Sequence, residues 1–158
     1  MIQRLQSASL AISAALLVSI ALEEGYSPVA YRPVKGDVAT IGFGTTEGVK
    51  DGDKITPERA LVRLLNDADK VAQAVRRCAS VPMYQYEFDA YVSLTYNIGT
   101  SAFCNSTLVK KLKTYDYEGA CKEILRWDKF QGQPLKGLTI RRQREYEVCT
   151  NSSTNAHK

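Results

Sequence analysis

Hydrophobic and polar positions divide the chain into three stretches of different character. The first, Leu5 to Leu22, is 18 residues without a charge. As a helix rising about 1.5 Å per residue it would span about 27 Å, slightly less than a hydrocarbon core of about 30 Å. Ser7, Ser9, Ser13 and Ser19 interrupt it and alanine fills five positions, so its apolarity is weak. Four readings fit such a segment. A signal peptide cleaved near Ala21 lacks a strong basic start and would be cut beside Glu24. A permanent anchor is disfavoured by the serines. A reversible anchor, able to enter a bilayer and leave it at modest cost, suits the composition best. A buried N-terminal core helix is the alternative.

The second stretch is β-prone. Val29-Ala30-Tyr31 leads into the turn-rich Arg32-Pro33-Val34-Lys35-Gly36-Asp37, and Val38 to Phe43 reads as a short strand closed by Gly42 and Gly44. A sheet of two or three strands is expected.

The third stretch, from Ile55 onward, has helical periodicity. Thr56-Pro57-Glu58 supplies an N-cap, a proline at the first helical position and an acid in the first turn. Leu61, Leu64, Leu65, Ala68, Ala72 and Val75 then recur at helical spacing. Pro82 breaks the pattern, and a second helix carrying Phe88, Tyr91, Val92, Leu94 and Ile98 ends at Gly99. Short helices are expected near Ser106–Leu112 and Tyr117–Trp127, a loop at Gly132 and Pro134, and a last helix from Gly137 to Cys149. Residues 150–158 read as a polar, disordered tail.

Composition narrows the chemistry. The chain has 158 residues, enough for one domain with its own core. Its net charge of +4 would suit a polyanion such as a bacterial wall. The basic residues are scattered, without a run interleaved with aromatics, so no nucleic-acid partner is expected. The one histidine, His157, lies in the tail, which excludes histidine-dependent nucleophile systems. No cysteine pair has metal-ligand spacing, so neither a metal nor another cofactor is expected. Cys78, Cys104, Cys121 and Cys149 are even in number and follow an export-like segment. They read as two disulfides in an oxidising compartment, with three connectivities open.

What remains is carboxylate chemistry. Cleaving a glycosidic bond takes an acid that protonates the leaving oxygen and a group that handles water or attacks the sugar. Glu24 follows the apolar segment directly, where a carboxylic acid can stay protonated, while Glu23 points about 100° away on a helix. Asp37 and Thr40 are candidates for the water-handling half. Taken singly, each has a plainer reading: a solvated helix-end carboxylate, a turn residue and a strand residue. Their combination on one short stretch gives the catalytic reading its weight.

Glu24-Gly25, Tyr31-Arg32, Gly36 and Thr40-Ile41-Gly42-Phe43-Gly44-Thr45-Thr46 resemble the catalytic segment of phage-type lysozymes, glycoside hydrolase family 24. The likeness continues through Phe88–Leu94, Tyr96–Gly99, Phe103–Leu108, Arg126-Trp127 and Gly137–Glu145, covering roughly Glu23 to Cys149. With its weak N-terminal segment the chain is most similar to the signal-arrest-release endolysins of that family.

The resemblance implies an α+β, mainly α, lysozyme-like fold, with a small β lobe, a larger helical lobe and an active-site cleft between them. Residues 1–22 would be the anchor, 23–149 the catalytic domain and 150–158 the tail. It implies a monomeric muramidase that hydrolyses the β-1,4 bond between N-acetylmuramic acid and N-acetylglucosamine in peptidoglycan strands. The enzyme would be tethered transiently to the inner membrane and then released to the periplasm to lyse the host. Glu24 matches the general acid and Thr40 the catalytic threonine. Pro33 stands where the family carries its aspartate, so Asp37 is taken as the substitute. Thr46, Tyr96, Asn97, Ser106 and Thr107 match substrate-binding positions, with capping and core packing as the plainer readings of the last four. Arg141 and Arg142 are expected to pair with acids. The pairing implied is Cys78 with Cys104 and Cys121 with Cys149. Two other functions compete: a lytic transglycosylase using Glu24 alone, and a non-catalytic module that binds the wall or membrane.

Overall fold

The apolar run does not form one helix. In the computed structural model, which describes residues 3–152, it is divided into strand β1 (Leu5–Gln6), a 3-10 turn (Ser7–Ser9), an extended link and helix α1 (Ala14–Glu24). The break has a tertiary cause. An α-helix would use the Leu10 carbonyl for its own ladder, but Arg76 donates to that carbonyl through both Nε (2.9 Å) and Nη2 (2.8 Å). Gln85 donates to the Ala11 carbonyl, and the Ser13 amide donates to Asp89. Side chains distant in sequence take the backbone groups that helical hydrogen bonds need, and α1 begins only at Ala14. No helix among the described residues is long and apolar enough to cross a membrane.

Backbone contacts divide the chain into two units. The smaller, Ala14–Lys70, holds α1, the antiparallel pair β2 (Ser27–Tyr31) and β3 (Thr40–Gly42), and most of α2 (Pro57–Cys78). Its buried residues include Leu16, Ile20, Ile41, Ala60, Leu64 and Ala68. The capping signal at Thr56 is realised: its hydroxyl accepts from the Arg59 amide at 3.4 Å, and the helix starts at Pro57. Close packing of β3 on α2 depends on Gly42, where a Cβ would lie 2.9 Å from that of Ala60.

The larger unit joins residues up to Ser13 with those from Val71 onward. β1 pairs antiparallel with β4 (Pro82–Met83). Helix α3 (Gln85–Ile98) is buried almost continuously from Glu87 to Thr95 and packs on α7 (Lys136–Cys149). Between them come α4 (Thr100–Cys104), α5 (Thr107–Lys113) and α6 (Tyr117–Ile124), with α5 packed on α6. Phe88, Tyr91, Phe103, Leu108, Leu112 and Ile124 are fully buried here. Two local features go beyond the sequence patterns: α4, too short to display a period, and a hairpin, β5 (Lys129–Phe130) with β6 (Gln133–Pro134), where a loop was expected. The disulfides join Cys78 to Cys104 and Cys121 to Cys149, with Cα separations of 5.3 and 5.7 Å. The fold is mostly helical with small antiparallel sheets, as expected. The expected polar tail begins at Thr150, whose amide donates to the Tyr146 carbonyl; residues 153–158, including His157, lie outside the described residues.

Candidate active site

Glu24 is the last residue of α1, and Gly25 follows in the left-handed region at φ 69°, turning the chain into β2. The helix therefore delivers its final carboxylate at the entrance of the sheet. The loop after β3 receives it. Ile41 and Thr45 exchange backbone hydrogen bonds of 2.9 and 3.1 Å, folding Gly42-Phe43-Gly44 into a tight turn. A Cβ on Gly44 would lie 3.1 Å from Glu24 Oε2. The carboxylate thus rests against Gly44, where the turn has no side chain.

Register brings Thr40 to the sheet that Glu24 leads into. Ser27 lies opposite Gly42 and Tyr31 opposite Thr40, with an irregularity between the two pairs. Glu24, Gly25, Tyr26, Ser27 and Tyr31 line an open pocket of about 310 Å³. Tyr26 is fixed at both ends: its hydroxyl donates to the Ile55 carbonyl at 2.7 Å, and its ring lies 5.4 Å from that of Phe43. Thr40 is buried, and its hydroxyl makes a long contact of 3.4 Å with the Val38 carbonyl. The neighbouring Thr45 hydroxyl is committed instead to Asp67, at 2.6 Å. Thr46 is exposed just beyond the turn.

Asp37 is exposed at the end of the 32–37 turn. Its Oδ1 accepts from the Val38 amide at 2.9 Å, leaving Oδ2 without a hydrogen bond among the described residues. Arg32 organises this turn, a role the sequence patterns do not disclose. It forms a bidentate pair with Asp51, at 3.0 and 2.9 Å, and donates through Nη1 to the Asp37 carbonyl. Hydrogen bonding to Arg32 holds the Asp51 carboxyl below its usual range. The partners are 19 residues apart, so no local spacing announces them.

Tyr96, Asn97, Ser106 and Thr107 belong to the helical unit. Asn97 Oδ1 accepts from Arg142 at 3.0 Å. Ser106 caps α5: its Oγ accepts from the Val109 amide at 3.2 Å and donates to the Phe103 carbonyl at 2.6 Å. Thr107 is the exposed first residue of α5, and Tyr96 is half-buried near the end of α3. Arg141 and Arg142 pair with Glu145, which also accepts from the Ser93 hydroxyl at 2.8 Å. Burial pushes the Glu145 carboxyl up, against the pull of Arg142.

Over most of its length the chain is similar to known proteins. The family described as Phage lysozyme matches residues 21–145. An endolysin of Acyrthosiphon pisum secondary endosymbiont phage 1 is 41% identical over 133 residues, covering 82% of this chain and 90% of the relative. A SAR-endolysin of Pseudomonas phage phiKMV is 35% identical over 148 residues, covering 91% of each. Among solved structures, an endolysin from Escherichia coli O157:H7 phage FAHEc1 aligns with a TM-score of 0.79 at 36% identity. That alignment covers 91% of this chain and 96% of the other.

Proposed function

The chain belongs to the phage lysozyme family, and from that premise we propose that Glu24, Asp37 and Thr40 carry out its glycoside hydrolysis. It is a lysozyme-type glycoside hydrolase, an endolysin muramidase acting on the peptidoglycan of the host. The observation that carries the residue assignment is the seat of the Glu24 carboxylate on Gly44, within the turn that follows Thr40, beside an open pocket.

Glu24 is the general acid, protonating the glycosidic oxygen between N-acetylmuramic acid and N-acetylglucosamine. Asp37 Oδ2 and the Thr40 hydroxyl hold and polarise the attacking water. Thr46, Tyr96, Asn97 and Thr107 contact the glycan. Ser106 spends its hydroxyl within the protein, so its part is to hold the turn that carries Thr107.

Residues 1–22 tether the newly made monomer to the inner membrane, and release delivers it to the periplasm. The reading draws support from the relatives named SAR-endolysin and from the weak apolarity of the segment. A spanning helix over residues 5–22 is incompatible with β1, the 3-10 turn and an α1 that starts at Ala14. The folded form described above is accordingly the released one. Residues 23–149 then act as the catalytic domain.

The test is clearing of permeabilised Gram-negative cells by wild type, Glu24→Gln, Asp37→Asn and Thr40→Ala, with mass spectrometry of the products. Expected are reducing-end muropeptides and losses of at least about 100-fold for each variant. Full activity of Asp37→Asn removes Asp37 from the site, and 1,6-anhydro products identify a transglycosylase. Carbonate extraction before and after depolarisation tests the tether.

A further inference from the structure

Arg4 is the only charged residue before Glu23. Its guanidinium lies 3.8 Å from the ring centroid of Tyr117 and 4.3 Å from that of Tyr84. It also forms a two-point pair with Glu87, Nε to Oε2 at 3.1 Å and Nη2 to Oε1 at 2.8 Å. Glu87 is buried and caps the first turn of α3, its Oε2 accepting from the Tyr84 amide at 2.8 Å. Tyr117 is oriented by donating to the Pro82 carbonyl at 2.7 Å, and Pro82 lies in β4, the strand that pairs with β1 immediately after Arg4.

We propose that Glu87, Tyr84 and Tyr117 form a receptor for the Arg4 guanidinium, and that its occupation latches residues 4–13 onto the helical unit once the segment has left the bilayer. The proposal rests on the reading of residues 5–22 as a membrane tether.

The chemistry is selective. A planar fork satisfies two carboxylate oxygens and stacks on aromatic faces together, which an ammonium does not. Glu87 needs that cation: a buried carboxylate without its partner is costly, and no other cation pairs with it among the described residues. Topology makes the site responsive to release. While residues 5–22 span a bilayer, Arg4 sits on the face opposite the rest of the chain, about 27 Å from the side that carries Glu87. The receptor stays empty until the segment withdraws, and withdrawal drags a guanidinium through hydrocarbon. Occupation of the receptor compensates that passage. The bonds from Arg76, Gln85 and Asp89 then fasten the segment as far as Ser13.

The test has two parts on the full chain. In the first, thermal unfolding is followed for wild type, Arg4→Ala, Arg4→Lys and Arg4→Ala/Glu87→Gln, with guanidinium chloride or sodium chloride at equal millimolar concentration. Arg4→Ala is expected to lower Tm by about 5 °C or more, with Arg4→Lys in between. Guanidinium, but not sodium, is expected to raise the Tm of Arg4→Ala and to give no recovery in the double variant. A wild-type Tm for Arg4→Ala, or no guanidinium-specific recovery, overturns the receptor. In the second part, carbonate extraction after depolarisation compares wild type with Glu87→Gln, which keeps Arg4 and hence the same insertion. Glu87→Gln is expected to lower the released fraction by at least about threefold. Equal release overturns the latch and leaves the tether standing. A wild type that never enters the membrane fraction overturns the tether, and the release step with it.

Discussion

Gly44 sits where a side chain would meet the Glu24 carboxylate, its absent Cβ lying 3.1 Å from Oε2 and 3.5 Å from Cδ. Its φ of 86° is also a conformation that side-chain-bearing residues enter only with strain. Gly44→Ala is therefore expected to do two separable things. Strain lowers stability by about 1–2 kcal/mol, read by thermal unfolding. Displacement of the carboxylate lowers kcat by about 10- to 100-fold while the far-UV spectrum stays native. Wild-type kcat in a destabilised Gly44→Ala would show that Glu24 does not depend on this seat.

Arg32 links Asp51 to the turn that carries Asp37. Because all three groups are exposed, the pair itself should add little stability. Its effect should fall on geometry. Arg32→Ala and Asp51→Asn are each expected to lower kcat by about tenfold with Tm nearly unchanged, and the double variant should be no worse than either single one. Strictly additive losses in the double-mutant cycle would separate Arg32 from Asp51 in their effect on Asp37.

Much of this was legible in the order of residues, for physical reasons that differ from place to place. The start of α2 could be read because Thr56-Pro57-Glu58 acts locally. β2 and β3 could be read because alternation and glycine placement are short-range signals. Glu24 stood out because the chain offers few other groups for the chemistry. The fate of Leu5–Leu22 could not be read, because Arg76, Gln85 and Asp89, more than 60 residues away, decide which backbone groups are free to form a helix. The Arg32–Asp51 clamp and the Glu24–Gly44 seat are likewise long-range pairs, invisible to periodicity. The cysteines alone left three pairings open, and the family resemblance supplied the one that the structure adopts.

Asp89 is a half-buried carboxyl on α3 whose Oδ1 accepts from the Ser13 amide and from Gln85. Burial pushes its pKa above the usual value of 3.8, outweighing the hydrogen bonds that pull it down. The folded state therefore binds the proton more tightly than the unfolded chain. The cost of the charged form is absent below the unfolded pKa, grows as pH rises through the carboxylate range, and is complete above the folded pKa. Asp89→Asn keeps an Oδ1 acceptor and removes the titration. At neutral pH it should be more stable than wild type by no more than about 1 kcal/mol, since solvent screens a half-buried group. That advantage should shrink as pH falls through the carboxylate range. Thermal unfolding of both proteins across this range checks the sign, and an advantage that grows on acidification would reverse the assignment.

Both disulfides lie in the helical unit, and no cysteine occurs in Ala14–Lys70, which carries Glu24, Asp37 and Thr40. Their loops span 26 and 28 residues, so loop-closure entropy gives each bond about 3–4 kcal/mol. Replacing Cys121 and Cys149 by alanine should lower Tm by about 6–16 °C, as should the same change at Cys78 and Cys104. Activity well below the transition should be largely retained, because the bonds restrain the unfolded helical unit rather than shape the catalytic residues. Amide exchange sharpens the point. Protection in α3, α6 and α7 should fall on reduction, while that of β2, β3 and the 40–45 turn follows only the global loss of stability. Loss of activity at a temperature where the reduced protein is still fully folded would instead place a redox-dependent contact at the site, and that is the outcome to look for in the temperature series.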